Sequence, residues 1–291
     1  MFMGQSQHTL AQPVRVCGVG LHTGADTTMV IKPNEPGTGI CFRSVDVAKN
    51  NGGIGDDLRA SVDNVVFAHH GTVLGNSTGA RVSTIEHVMA ALAITKIDNA
   101  LIEITGGEIP IADGSAVAFV DAINTAGRVT QKQLRRIITV REEIRVVDGD
   151  RSIEISPADE HSLEIEIEFA DCLIGRQSLV LSGDDATELA KIAHARTFCR
   201  HHEVAALHAA GLGLGGSLEN SLVVEGDRLL NKTDLRDPDE FVRHKALDLI
   251  GDLYLLGAPL RANIRAIKPG HALNVRAVRA VAAQIAGESV D

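Results

Sequence analysis

A chain of 291 residues is long enough for about two domains, with room for a substantial core. Its hydrophobic content of 44% against only 3% aromatic residues makes that core aliphatic. The formal net charge of -10 argues against general affinity for nucleic acid or an anionic membrane, so an anionic ligand would have to be held by a local cluster of Arg, Lys or metal.

In chain order, strand-like segments come first, around Thr9 to Val16, Thr27 to Lys32, Gly39 to Arg43 and Val65 to Ala68. STIEHVMAALAI then predicts a helix, NALIEIT a strand and SAVAFVDAINTAG a second helix. The polar stretch RVTQKQLRR, residues 128–136, reads as a linker between domains at 1–127 and 137–291. Beyond it, strands are expected in IITVREEIRVV, SIEISP and LEIEIEF, then a helix around Asp185 to Ala195 and an irregular region. The chain closes with the helix FVRHKALDLIGDLYLL, the strand RANIRAIK and the helix HALNVRAVRAVAAQIA. Both halves therefore finish as helix, strand, helix, with a polar cluster in the first helix of each. Runs of strands closed by helices imply an α+β fold of two similar domains. If the halves pack as a pseudo-symmetric pair, the two polar clusters meet at their interface, a common place for a site.

Cys17, Cys41, Cys172 and Cys199 form no Cys-x-x-Cys pair, which fits reduced thiols in a cytosolic protein rather than a disulfide frame. MFMGQSQHTLAQ lacks the basic start and apolar run of a signal peptide. The uncharged run Val204 to Leu218 is too short and glycine-rich for a transmembrane segment, which needs about 20 apolar residues. A cytoplasmic protein is expected.

The stretch FVRHKALDLIGDL, residues 241–253, raises an electrostatic question. At about 100° per residue with His244 at zero, Asp248 falls near 40°, Asp252 near 80° and Lys245 near 100°, while the apolar residues cover the opposite face. Two carboxylates four residues apart weaken a helix by a few tenths of a kcal/mol unless something positive lies between them. His244 and Asp248, at i and i+4, can reach one metal ion. From this motif alone the plainer reading leads, a His–Asp pair on a solvated face with Lys245 neutralising the acids. A third ligand decides between these readings, and His87 is the candidate, with Ala90, Ala91 and Ala93 leaving room beside it. Its neighbour Glu86 has two readings. Ser83 and Glu86 are spaced as a capping box, and a free carboxylate beside a metal can also serve as the base of a water. His271 follows Pro269-Gly270 at a helix start, where it is either a surface histidine or, facing the metal, a proton donor.

Other signals point less far. His202-Glu203 begins a zinc-protease pattern that fails at Ala206. GLGLGGS, residues 211–217, follows the helical stretch HEVAALHAA rather than a strand, so a helix C-cap and loop fit it better than a dinucleotide site. His69-His70 reads as a solvated pair, and His201, His202 and His208 as ligands for adventitious metal at most.

Taken together, the blocks GVGLHTG, STIEHVMAAL, IDNALIEITGGEIPIADGSAVAFVDAI, ARTFCR, GLGLGGSLENSLVV, DEFVRHKALDLIGDLYL and GHALN make the chain resemble the UDP-3-O-acyl-N-acetylglucosamine deacetylases, zinc amidases of lipid A synthesis. The resemblance runs through essentially the whole chain. It implies two α+β domains with the active site between them, one Zn2+ per chain, an acylated UDP-sugar substrate and a monomer. It makes His87, His244 and Asp248 the zinc ligands, Glu86 the general base and His271 the general acid. Thr197 matches an oxyanion-stabilising threonine, Asp252 the carboxylate paired with the catalytic histidine, and Lys245 the lysine at the substrate end of the metal helix. Phe198 matches an aromatic that packs on substrate, and the glycine-rich block supplies Gly215 and Ser217 as further contacts. The small apolar residues of Val204 to Val224 suit a groove for one acyl chain, or an ordinary core helix and strand. Two departures stand out: Cys199-Arg200 replaces a usual glycine and aromatic, and Gly71 lies where some members carry cysteine. A zinc amidase of another N-acyl compound and a noncatalytic nucleotide-sugar-binding protein with structural zinc remain the competing readings.

Overall fold

The structure, a computed structural model, describes residues 5–46, 57–170 and 172–287, so the outermost residues of both expected domains lie outside it. Two five-strand arrays dominate, and they share one topology. In the first, the strand order is Val14–Val19, Asp26–Pro33, Ala100–Ile104, Ile40–Ser44, Leu58–Arg59. In the second it is Arg145-containing Ile144–Asp148, then Arg151–Pro157, Leu260–Ile267, Ser162–Phe169 and Gly175–Ser182, with Ile138–Thr139 added beside Leu260–Ile267. Each array sets a hairpin on either side of a central strand that arrives late in the chain, antiparallel to one hairpin and parallel to the other. The repetition of supersecondary order expected from the sequence is therefore a repetition of topology, and the α+β class holds.

Helix α1 (Glu86–Ile94) precedes the first central strand and α2 (Val117–Ala126) follows it. In the second half come α3 (Ala186–His194), α4 (His201–Ala209), α5 (Glu240–Leu253) and α6 (His271–Ala286), with α5 and α6 flanking the second central strand. Strand alternation shows why each sheet has one covered face. In Ser162–Phe169, Leu163, Ile165 and Ile167 are buried while Glu164 and Glu168 point outward, and Leu260–Ile267 alternates likewise. The buried side chains are chiefly Ile, Leu, Val and Ala, with Phe42, Phe119 and Phe241 the large aromatics fully enclosed, as the composition requires.

Four local differences have physical reasons. The segment Thr9 to Val16 breaks around Pro13, which has no N–H to offer a ladder, leaving Ser6–Leu10 and Val14–Val19 in different sheets. The polar stretch 128–136 contains a strand, Arg128–Leu134, paired antiparallel with Ser6–Leu10; its nearly uniform exposure hides any period of two. Gly175–Ser182, not expected as a strand, pairs with Ser162–Phe169 along its whole length. The region after α3, expected to be irregular, is a small sheet of Phe198–Arg200, Leu222–Glu225 and Arg228–Leu229, with α4 inserted between its first two strands.

Helices α1 and α5 come together at Gly251. A Cβ there would lie 2.1 Å from the Glu86 carbonyl oxygen, so only glycine permits this approach. Glycine inside a helix costs about 1 kcal/mol relative to alanine, and here that cost is offset by bringing the two helices that carry Glu86, His87, His244 and Asp248 into backbone contact.

Candidate active site

The start of α1 is set by its neighbours rather than by a capping box. Thr84 holds a φ of 59°, which ends any helical run from Ser83, and the helix begins at Glu86 with Ile85 as an N-cap that makes no side-chain cap bond. Ser83 is occupied by backbone bonds with Gly107 and Ile109. The capping reading of Glu86 is thereby overturned. Its Oε2 instead accepts the Thr72 backbone N–H at 2.9 Å, and its other oxygen faces His271 Nε2 at 3.7 Å.

The solvated-face reading of α5 also fails. His244, Asp248 and Asp252 are each no more than 2% exposed, because α1 lies across the side that the helical wheel assigns to water. His244 Nε2 lies 3.3 Å from Asp248 Oδ1, and His87 Nε2 lies 3.7 Å from the same oxygen. The two imidazoles meet edge to face, 5.0 Å between centroids. His244 Nδ1–H donates to the Ala195 carbonyl at 3.0 Å, which fixes the tautomer and leaves Nε2 as the lone-pair nitrogen.

This trio fits a metal ion on its own geometry. Asp248 Oδ1 is buried with no hydrogen-bond partner among the described residues, and the donor atoms of His87, His244 and Asp248 all lie within 4.8 Å of one another. Zinc bonds of about 2.0–2.2 Å in a tetrahedron place ligand atoms about 3.3–3.6 Å apart, close to the separations seen. Protonation favours the same use. Burial, reinforced by neighbouring His244, pushes the His87 imidazole down to about 3, and burial lowers His244 as well. Burial alone would raise the Asp248 carboxyl, but His244, Lys245 and His271 outweigh it and hold it far below the usual carboxylate range. Two neutral imidazoles and one carboxylate form a ligand set that leaves a tetrahedral cation one open position.

Beside the trio stand two further titratable groups, the largely buried His271 and the buried Glu86. His271, the first residue of α6, places Nδ1 2.9 Å from Asp252 Oδ2 and Nε2 3.9 Å from Asp248 Oδ2. Burial opposes its protonation, yet the carboxylates of Asp252, Glu86 and Asp248 raise it to about 10. Burial, partly countered by the His271 charge, brings Glu86 up to about 7. Lys245 reaches Asp248 Oδ2 at 2.8 Å and also lies 5.2 Å above the Phe198 ring. Phe198 in turn packs edge to face on Phe169, Phe241 and His244.

Thr197 is held at both backbone ends, donating to Gly114 O and accepting from Leu222 N–H, each at 2.8 Å. Next to it, Arg196 grips Glu240 at the start of α5 through bonds of 2.8 and 3.0 Å, tying the segment before strand Phe198–Arg200 to the helix that carries His244. Among the described residues nothing hydrogen-bonds to the Thr197 hydroxyl, which stays available to a ligand. Gly215 and Ser217 make contacts of another kind. Gly215 N–H donates to Leu21 O, and a Cβ on Gly215 would lie 2.2 Å from Gly20 O. Ser217 closes a turn with Asn220 and Ser221. At the two departures, a Cβ on Gly71 would stand 3.1 Å from Glu86 Oε1, and Arg200 pairs with Glu203 while lying over the Phe169 ring.

Several participants escaped sequence reasoning. Thr72 and Asn274 donate to Asp252 Oδ1 and Oδ2 at 2.6 and 2.9 Å. The buried carboxylate of Glu108 gathers the His22 and Thr23 N–H groups and the Thr23 and Thr84 hydroxyls, fastening the GVGLHTG loop to the entrance of α1. The only signal available for Glu108 is its place in GGEIPIADGS, close to glycines, which marks a tight loop and not a hub.

Two imidazoles and a carboxylate suited to a cation, with a second carboxylate and an imidazolium alongside, form the centre of a metal-dependent hydrolase. Comparison with known proteins narrows that class. A family model described as UDP-3-O-acyl N-acetylglycosamine deacetylase matches residues 7–283, and the chain belongs to that family. It is 46% identical over 278 residues to the UDP-3-O-acyl-N-acetylglucosamine deacetylase of Phenylobacterium zucineum, covering 96% of this chain and 94% of the relative. The like-named protein of Myxococcus xanthus is 42% identical over 95% of this chain and 86% of its own. That of Neisseria meningitidis serogroup C (strain 053442) is 38% identical over 95% and 90%. Among the described residues, no helix is long and apolar enough to cross a membrane.

Proposed function

We propose that the protein hydrolyses the N-acetyl group of UDP-3-O-acyl-N-acetylglucosamine, releasing acetate, as a step of lipid A biosynthesis, with one Zn2+ held by His87, His244 and Asp248. The observation that carries this reading is the orphaned Asp248 Oδ1 facing two buried imidazole nitrogens beside Glu86 and His271, in a chain of this family. Bound there, the ion supplies positive charge that acidifies water and polarises a carbonyl.

The chain's own groups divide the remaining work. Glu86, with Oε2 occupied by the Thr72 N–H, takes a proton from the attacking water through Oε1 as the new C–O bond forms at the acetamide carbon. His271 carries a proton on Nε2, 3.7 Å from Glu86 Oε1, and delivers it to the sugar nitrogen as the C–N bond breaks. Asp252 keeps the ring oriented and charged. The unpartnered Thr197 hydroxyl donates to the oxygen that gains charge, Phe198 packs on substrate, and Lys245 supports the substrate end of α5. Gly215 and Ser217 shape the loop over the sugar.

The acyl chain is assigned to the 204–224 segment. Leu222, Val223 and Val224 at its end are core strand, but helix α4 buries none of its residues and Leu214 and Leu218 are 56% and 42% exposed, so the helix and the loop after it have apolar surface to cover. The two halves act as domains at 1–127 and 137–291, joined through 128–136, with the site between them. A cytoplasmic monomer completes the proposal. The test is acetate release from the acylated UDP-sugar with metal removed and then restored; release that ignores chelation, or none from zinc-loaded protein, defeats it.

A further inference from the structure

Thr72 is fully buried and touches both sides of the acid–base pair. Its carbonyl accepts the Ile85 N–H at the entrance of α1, and its own N–H occupies Glu86 Oε2. Its hydroxyl donates to Asp252 Oδ1 at 2.6 Å and lies 3.4 Å from His271 Nδ1. A hydroxyl has one hydrogen. With that hydrogen committed to Asp252, its lone pairs can only receive, so the His271 Nδ1–H is shared between Asp252 Oδ2 and Thr72 Oγ1. Among the described residues Asp252 Oδ1 has no other donor, whereas Oδ2 also has Asn274.

We propose that Thr72 is a positioning residue that couples the base to the acid: its backbone selects which Glu86 oxygen is free to act, and its hydroxyl locks the Asp252 carboxylate that aims the His271 ring. The assignment deepens the proposed reaction and rests on it, but it also has a consequence in the resting protein. Without the hydroxyl, the Asp252 carboxylate can rotate about its remaining contacts, and the His271 ring follows. The competing reading is packing alone, in which the Thr72 side chain merely fills space.

The discriminating variants are Thr72→Val, which keeps the shape and removes the hydroxyl, and Thr72→Ser, which keeps the hydroxyl. In zinc-loaded full-length protein, kcat for acetate release should fall about 10- to 100-fold in Thr72→Val, the size expected for losing a hydrogen bond to a charged group. KM should stay within about threefold and zinc content near wild type, and Thr72→Ser should recover kcat to within about threefold of wild type. A Val variant with undiminished kcat, a loss carried by KM, or a folded, zinc-loaded Ser variant as slow as Val overturns the proposal. The Ser arm decides alone if Thr72→Val does not fold. A second readout needs no substrate: solvent exchange of the His271 Nδ1–H, followed by NMR, should accelerate at least about tenfold in Thr72→Val and not in Thr72→Ser. Absence of acetate release from wild type would sink the proposed function, and the ring-exchange comparison would still judge Thr72. Unchanged ring exchange in Thr72→Val counts against it under either circumstance.

Discussion

Glu86→Gln separates catalysis from stability because the geometry predicts opposite signs for the two. Glu86 is 3% exposed, and burial moves its carboxyl from an ordinary 4.5 to about 7. That displacement corresponds to about 3 kcal/mol by which the folded metal-free protein disfavours the ionised form. The sign follows from proton linkage: between 4.5 and about 7 the folded chain holds a proton that the unfolded chain has lost, so stability falls as pH rises through that window and levels off above it. Glutamine never ionises, and its carbonyl can still accept the Thr72 N–H. Metal-free Glu86→Gln should therefore match wild type near pH 4.5 and exceed it by up to about 3 kcal/mol above pH 7, raising the melting temperature by several degrees there. Zinc-loaded, the same variant should lose about 10²- to 10⁴-fold in acetate release, since the amide takes up no proton from water. Urea unfolding of metal-free protein at several pH values, with acetate release at pH 7.5, measures both halves. A Gln variant that is less stable than wild type above pH 7 would show the carboxylate to be a net native tether. One that turns over at the wild-type rate would remove Glu86 as base.

Activity against pH should be bell-shaped, rising as Glu86 loses its proton and falling as His271 loses its own; a bound divalent cation repels both protons, so the limbs should lie below about 7 and about 10, and Glu86→Gln should abolish the acidic limb in the residual rate. Shortening the substrate's 3-O-acyl chain should lower kcat/KM by about fourfold per methylene, from about 0.8 kcal/mol each, until the groove is empty; a flat dependence would favour a zinc amidase of another N-acyl compound. Gly251→Ala should separate α1 from α5, because its Cβ would lie 2.1 Å from the Glu86 carbonyl; about 1–3 kcal/mol of stability and most of the activity should go together, and a variant of unchanged melting temperature and rate would show that the contact relaxes freely.

The parts of this site that can be read from sequence are those encoded by local spacing. His244 and Asp248 stand at i and i+4, and Glu86-His87 opens another helix, so two short words carry most of the metal reading. The environment of those words is not local. A helical wheel assigns the polar stripe of α5 to water because it sees one helix, whereas α1 covers that stripe through a contact made by residues far apart in the chain. Glu86 likewise looks like a cap until Thr84, at positive φ, cuts Ser83 away from the helix. Thr72 is invisible for the same reason: its hydroxyl meets a carboxylate 180 residues away, and no period or motif marks it. Edge strands such as Arg128–Leu134, polar and exposed along most of their length, offer no alternation to detect.

The negative charge on α5 is met at two separate places. Its two carboxylates do not share one positive neighbour. Asp248 pairs with Lys245 and faces the imidazoles of His87 and His244, while Asp252 pairs with His271 and takes hydrogen bonds from Thr72 and Asn274. With Glu86 ionised, three buried carboxylates confront two cations, Lys245 and His271, and the uncompensated oxygen is Asp248 Oδ1. A buried carboxylate oxygen without a donor is costly, so the charge imbalance and the orphaned acceptor locate the need for a further cation at the same atom. A divalent ion there more than offsets the deficit and leaves a net positive centre. That excess would favour ionised Glu86 and make the His271 proton easier to give away, the protonation states that the proposed hydrolysis calls for.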